Sequence, residues 1–268
     1  MAIRHLLWSA ALAAALPVTL VAQQAPSGFH SVSCVKVKPG KSADFNAFVK
    51  GDLRKFEQSR VDSGAISSVI VLRTISPAGS DAECDYTFVT FYSGLPNAPM
   101  SDDEVVAALK KAGISSSLEE WRQEHQAVGD LVYSAIDRVV AQVGKAKEGD
   151  YIVVNDMKVP DTSAWIDHEK KLWQPIFEDG LKDGSVDGWA VVDQFMPRGA
   201  KDKHLTYTVD IYPNWQAVYK FFGPGFDDRW KKIHPDVPIG EGMTEEQKFN
   251  TIEHTSLLKV VASIEPSK

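Results

Sequence analysis

Several things are scarce in this chain. It has two cysteines in 268 residues, Cys34 and Cys84, and they are not spaced as CxxC, so a redox motif has no support. No run of Lys or Arg is longer than two, and the formal net charge is −7, so neither nucleic acid nor an anionic membrane is an expected partner. The glycine-rich phosphate cradles GxGxxG and P-loop are missing, as is the GxSxG nucleophile elbow. No two of the seven histidines are spaced as HxH or HxxxH, so no local metal motif exists, although a site assembled in space stays open. No cofactor and no metal are therefore expected. Beyond the first residues, nothing approaches the ~20 consecutive apolar residues of a membrane-spanning helix.

Those first residues read as a secretory signal over 1–22. Arg4 and His5 form a basic start, Leu6 to Leu16 an apolar stretch, and Leu20-Val21-Ala22 a small-residue cleavage point before Gln23. Removing Arg4 makes the mature chain more acidic by one. A secreted or periplasmic location follows, with no integral membrane segment after removal. In an oxidising compartment Cys34 and Cys84 can form a disulfide, and two buried thiols are the alternative.

What is present is a sequence that repeats itself. Pro39 and Pro160, 121 residues apart, each close a strand-like run and open a helix-like one. Gly64 to Pro77 lies over Gly184 to Pro197 without a gap at an offset of 120. Val132 to Val143 lies over Glu253 to Ile264 at 121. A near-constant offset through three segments implies two copies of one unit, spanning 29–144 and 150–265. In the first, apolar spacing predicts a strand over 29–38, a helix over 42–62, strands over 66–75 and 85–92, helical pieces from a Ser101–Glu104 capping box to about 127, and a strand over 131–143. The second repeats this order, with strands at 151–159, 189–196, 205–212 and 252–264. Its first helix, 163–181, should kink at Pro175.

Twice β-α-β-β-α-β is an α+β pattern of two tandem ferredoxin-like units, each with helices on one sheet face and the other face in need of cover. Element order, the strand-Pro-helix opening and Gly184-x-x-x-x-Trp189 resemble the dimeric α/β-barrel superfamily, in particular tandem members in which one chain supplies both halves. The resemblance covers essentially the whole mature chain and implies two units packed sheet to sheet. It also implies a range of activities, from cofactor-independent oxygenases and isomerases to haem-handling enzymes, and fold does not choose among them.

Comparing one copy with the other singles out residues. His168 and Glu169 stand where the first copy has Phe48 and Val49, so a His and an acid occupy an inner helix face. They are either a general acid/base pair beside a cavity or a structural pair, and in the second case His168→Phe should be tolerated. On the strand 205–212, alternation separates Tyr207, Val209 and Ile211 from Thr206, Thr208, Asp210 and Tyr212. The smoother apolar set is expected against the helices and the polar set in the interior, together with Tyr92 of the first copy. Arg73 matches Asp193 and is expected to pair with it. His254 is a further polar strand residue, and Trp189 belongs to a second copy that holds five of the six mature tryptophans. A lumen holding Arg73, Tyr92, Trp189, Asp193 and Tyr212 would suit a small polar or aromatic ligand, with His168, Glu169, His254 and Asp210 as catalytic candidates.

Two functions fit. One is a secreted module that binds a small molecule or a partner, as monomer or homodimer, with an exposed aromatic surface near Trp215, Phe221, Phe222 and Trp230. The other is a cofactor-independent monooxygenase or isomerase acting on a small aromatic substrate.

Overall fold

The structure is a computed structural model, and it describes residues 28–96, 99–197 and 206–267. The expected export signal and His204 lie outside the described residues. The chain runs β1 (Phe29–Val37), α1 (Ser42–Lys50), α2 (Asp52–Asp62), β2 (Ser68–Ser76), β3 (Tyr86–Tyr92), α3 (Asp102–Lys111), α4 (Leu118–Val128) and β4 (Gly129–Gly144). It continues through β5 (Tyr151–Lys158), α5 (Thr162–Leu172), α6 (Gln174–Asp183), β6 (Gly188–Met196), β7 (Thr206–Tyr212), α7 (Trp215–Lys220), α8 (Phe226–Ile233), α9 (Ile239–Glu246) and β8 (Thr251–Ile264).

The eight strands form one closed barrel in the order β1-β3-β2-β8-β5-β7-β6-β4, and every neighbouring pair is antiparallel. Strand order within the first half, β4-β1-β3-β2, is the same as in the second, β8-β5-β7-β6. The two longest strands make the closure. β4, 16 residues, pairs with β1 and with β6; β8, 14 residues, pairs with β5 and with β2. Their length lets each bond a strand of its own half and one of the other half. Register shifts at Val139/Ala141 and Val71/Leu72 mark where the pairing between halves bends. The result is a single closed barrel, as the resemblance implies, with a continuous sheet that has no edges.

Each helix predicted from the sequence as one long segment is broken in two. The first copy's breaks at Gly51, where a Cβ would sit 2.9 Å from the Ala47 carbonyl oxygen. The second copy's breaks at Trp173. Pro175 then lies in the first turn of α6, where its missing N–H is not needed. Capping boxes at Ser101/Glu104 and Ser117/Glu120 start α3 and α4.

Apolar packing occupies both sides of the barrel wall. Outside, α1 and α2 cover Val69, Val71, Tyr86 and Ile264 with Phe45, Val49 and Leu53. On the opposite flank Trp165, Ile176, Phe177 and Trp230 cover Trp189, Val191 and Tyr212. Inside, Ile70, Leu72, Ile152, Ile211, Leu258 and Val260 form a third cluster. Strands buried on both faces carry apolar residues at consecutive positions, as in Val69-Ile70-Val71-Leu72.

Cys34 on β1 and Cys84, just before β3, are joined by a disulfide with Cα atoms 5.2 Å apart and a sequence separation of 50. Closing a loop of that length limits the unfolded chain. Replacing both cysteines with serine is expected to lower the unfolding free energy by about 2–4 kcal/mol in urea titrations, with the native circular dichroism spectrum kept. Unfolded, unreduced protein should show no titratable thiol. Two thiols per chain would reject the bridge.

Candidate functional site in the barrel lumen

The barrel encloses a cavity of about 390 Å³. Its walls are mostly aliphatic, with Val32, Ile70, Val89, Val139, Val192 and Val209 among them. Polar side chains gather where strand register sets them side by side. His30 lies opposite Asp137 across β1–β4, and Asp137 opposite Gln194 across β4–β6. Asp156 lies opposite Tyr207 across β5–β7 and opposite His254 across β5–β8. All six line the cavity, as do Tyr133 and Glu83.

His30, Tyr207 and Asp137 form a connected set. The Tyr207 hydroxyl donates to Asp137 Oδ2 at 2.5 Å, His30 Nε2 lies 3.1 Å from the Tyr207 oxygen, and the same nitrogen is 3.5 Å from Asp137 Oδ2. His30 is only 4% exposed and Asp137 2%, so solvent does little for either. Burial, then the charge of Asp137 and the hydrogen bond to it, hold the Tyr207 phenol well above its ordinary pKa. Tyr133 is raised too, by burial and then by Glu83, Asp156 and Asp137. Tyr207 is thus a permanent donor at neutral pH, and its one proton is committed to Asp137. Its oxygen can only accept from His30. Uncharged His30 therefore carries its proton on Nε2 and a lone pair on Nδ1. Among the described residues, neither His30 Nδ1 nor Asp137 Oδ1 has a hydrogen-bond partner.

The residues expected in the lumen are mostly on the other side of the wall. Tyr207, Val209 and Ile211 line the cavity, and Thr206, Thr208, Asp210 and Tyr212 face the helices, the reverse of the assignment made from alternation. Tyr92 packs on the helix side and its hydroxyl meets Ser31 Oγ at 3.1 Å. Trp189 stacks on Phe177 at 5.8 Å, also outside. Arg73 is exposed, and Asp193 bonds Arg138 at 2.8 Å, so the expected Arg73–Asp193 pair does not form. Of the named candidates, only His254 lines the lumen. The cause is physical. Both wall faces are buried, so the more apolar set of a strand does not identify the helix side.

His168, Glu169 and Asp210 belong instead to a buried acid cluster between α5, α9 and the outer face of β7. Glu169 Oε1 accepts from Trp165 Nε1 at 2.9 Å, and its carboxyl also hydrogen-bonds that of Glu246. Glu246 accepts from Trp173 Nε1 at 3.1 Å and from Asn250, and His168 Nε2 lies 2.9 Å from its Oε2. His168 stacks on Phe249 with ring centroids 4.2 Å apart. His168 thus partners Glu246, which Phe could not do. Tolerance of His168→Phe is therefore no longer expected.

Among the described residues, no group of three or more His, Cys, Asp or Glu side chains could hold a metal ion. No described helix is long and apolar enough to cross a membrane.

No protein-family model matches the sequence, and no curated protein matches it significantly. The structure, however, is similar over nearly its whole length to solved proteins. A provisionally named monooxygenase from Fusobacterium nucleatum subsp. nucleatum superposes with a TM-score of 0.54 at 9% identity, over 89% of this chain and 94% of that one. Another provisionally named monooxygenase, from Lactobacillus acidophilus, gives 0.51 at 9%, over 90% and 100%. An anthrone oxidase-like protein gives 0.52 at 10%, over 91% and 94%. At such identities the shared property is the fold, which is that of the dimeric α/β barrels.

The acid cluster sets a pH dependence. Complete burial pushes Asp210 up to about 7 against hydrogen bonds from Asn155 and Tyr212. Burial, the charge of Glu246 and the hydrogen bond with it raise Glu169 well above its usual range, against the Trp165 indole. The folded chain thus keeps protons that the unfolded chain gives up above roughly pH 4. Their stabilisation is complete below that pH and is lost as pH rises toward 7 and beyond. Asp210→Asn is expected to flatten this decline by on the order of 4 kcal/mol between pH 4 and 8, read from urea unfolding across the range. A variant whose stability falls as steeply as that of the parent chain would refute the assignment.

Proposed function

We propose that the barrel lumen is a proton-abstracting active site, in which His30 Nδ1 removes a proton from carbon on a small aromatic substrate. One observation carries this reading: an unpartnered imidazole nitrogen, its tautomer fixed through Tyr207 and Asp137, in the wall of a largely apolar cavity. The low-dielectric wall leaves the base little competing water, and Asp137 stabilises the imidazolium that forms. Carbanion formation is the shared first step of the two reactions in view. Returning the proton to a different atom is an isomerisation. Giving the electron pair to dioxygen instead forms a C–O bond and, after protonation, a hydroperoxide. Loss of the remaining C–H proton with O–O cleavage then yields a carbonyl and one water. The likeness in fold to provisionally named monooxygenases and to an anthrone oxidase-like protein supports the oxygenating branch.

Binding without turnover is the second reading, supported by the aliphatic walls. An aromatic docking surface has less support: Phe221 and Trp230 are buried, leaving Trp215, Tyr219 and Phe222 exposed. The proposal includes a chain made of two ferredoxin-like copies, 29–144 and 150–265, exported after removal of 1–22 and acting as a monomer or homodimer. The same strand order in both halves supports the duplication.

Anthrone, whose anthranol tautomer carries an O–H donor, tests the chemistry. The protein should consume one dioxygen per anthrone and, without oxygen, should speed exchange of the methylene protons into D₂O by NMR. His30→Ala should lower kcat/KM about 100-fold or more, with Tyr207→Phe and Asp137→Asn in between. Full activity in His30→Ala would remove the base assignment. Binding with neither exchange nor oxygen uptake would leave the binding reading.

A further inference from the structure

We infer that the lumen selects hydrogen-bond donors and rejects anions, so that its ligand is a hydroxy- or amino-aromatic and never the corresponding carboxylate. This rests on the lumen being the binding site, as proposed above, and extends it to the class of ligand. The geometry is specific. His30 and Asp137 are paired across β1–β4, so their side chains leave the wall next to each other. Both are more than nine-tenths buried, and each keeps one atom without a partner among the described residues, His30 Nδ1 and Asp137 Oδ1. The chain of donors decides what those atoms are. Tyr207 gives its proton to Asp137 Oδ2, and His30 Nε2 gives its own to the Tyr207 oxygen. With His30 uncharged, what remains is two acceptors: a lone pair on Nδ1 and a carboxylate oxygen.

An acceptor that meets no donor in an apolar cavity stays desolvated, so a ligand that brings an O–H or N–H gains what the wall lacks. A ligand carboxylate brings only further acceptors and a negative charge beside Asp137. In a wall this apolar the repulsion between two carboxylates is poorly screened. Among the described residues that line the cavity, Lys145 comes from the joint after β4 and is in an ion pair with Glu265 at 3.6 Å, and His254 lies opposite Asp156 across β5–β8, so neither basic side chain adjoins Asp137 in the sheet. A substrate that presents a hydroxyl to Asp137 Oδ1 would then hold its neighbouring carbon at His30 Nδ1.

A matched pair of bicyclic probes tests the inference by quenching of intrinsic fluorescence or by calorimetry at pH 7.5: 2-naphthol and 2-naphthoate. The naphthol should bind and the naphthoate should bind roughly 100-fold more weakly. Naphthoate affinity should recover as pH falls and the ligand takes up a proton. In Asp137→Asn, which removes the charge and supplies an amide donor, the preference should shrink at least tenfold. Naphthoate binding as well as naphthol, or better, to the parent chain would overturn the donor inference while leaving the lumen as a binding site. Binding of neither probe, with anthrone also inert, would instead remove the lumen reading itself. The parent-chain comparison stands even if Asp137→Asn fails to fold.

Discussion

Closure of the sheet is the constraint on which the rest of this molecule depends. An antiparallel sheet of four strands with helices on one face leaves its other face bare and its two edges unpaired. Here β4 and β8 are long enough to satisfy a strand of their own half and one of the other half at once. That removes the edges and turns the two bare faces into the inside of a barrel. Two consequences follow. Both faces become buried over strand stretches such as 69–72 and 188–194, and the interior holds a cavity that side chains narrow but do not fill.

The first consequence explains what could and could not be read from the sequence. Strand and helix positions were legible because periodicity and capping are local: Ser101 and Glu104 form the capping box that their spacing implies, and Pro175 ends one helix and begins the next. Which way each strand faced was not legible. Alternation separates Tyr207 from Asp210 but does not label either side when both are enclosed. The more polar set lies under the helices because Asp210 sits beside Asn155 and near the Glu169–Glu246 cluster, where it is accommodated. A usable signal existed elsewhere. In the offset comparison Asp137 lies over Leu258, and Tyr207 over Thr87, with all four on the lumen wall. A carboxylate opposite a leucine is the same kind of asymmetry that drew attention to His168. His30 carried less, as a lone histidine at a strand start.

The two halves thus differ in different places for different reasons. The second half supplies the heavy aromatic packing, with Trp165, Trp189 and Trp230 nearly or wholly buried on the helix side. The polar corner of the lumen is shared between halves: His30 and Asp137 come from the first, Tyr207 from the second. Neither half holds the complete set. The pairing of β4 with β6 brings Asp137 within reach of Tyr207, so the same closure that stabilises the barrel assembles the site.

Two of the buried polar clusters among the described residues differ in their hydrogen bonding, and the difference bears on their roles. Around Glu169 and Glu246, every carboxylate need is met from within: indole N–H groups of Trp165 and Trp173, the Asn250 amide, the shared contact between the acids, and His168 alongside. Such a cluster fixes α9 on α5, with His168 Nε2 held by its ion pair to Glu246. In the lumen the donors run in one direction, from His30 to Tyr207 to Asp137, and end with two unpartnered acceptors on residues that line the cavity. A buried acceptor without a donor is costly to the folded chain, and nothing in the packing of β1, β4 or β7 requires a histidine or an aspartate at those positions. A ligand that enters the cavity and donates would offset that cost. That difference, rather than the number of charged groups or the depth of burial, supports a structural role for one cluster and the proposed ligand recognition for the other.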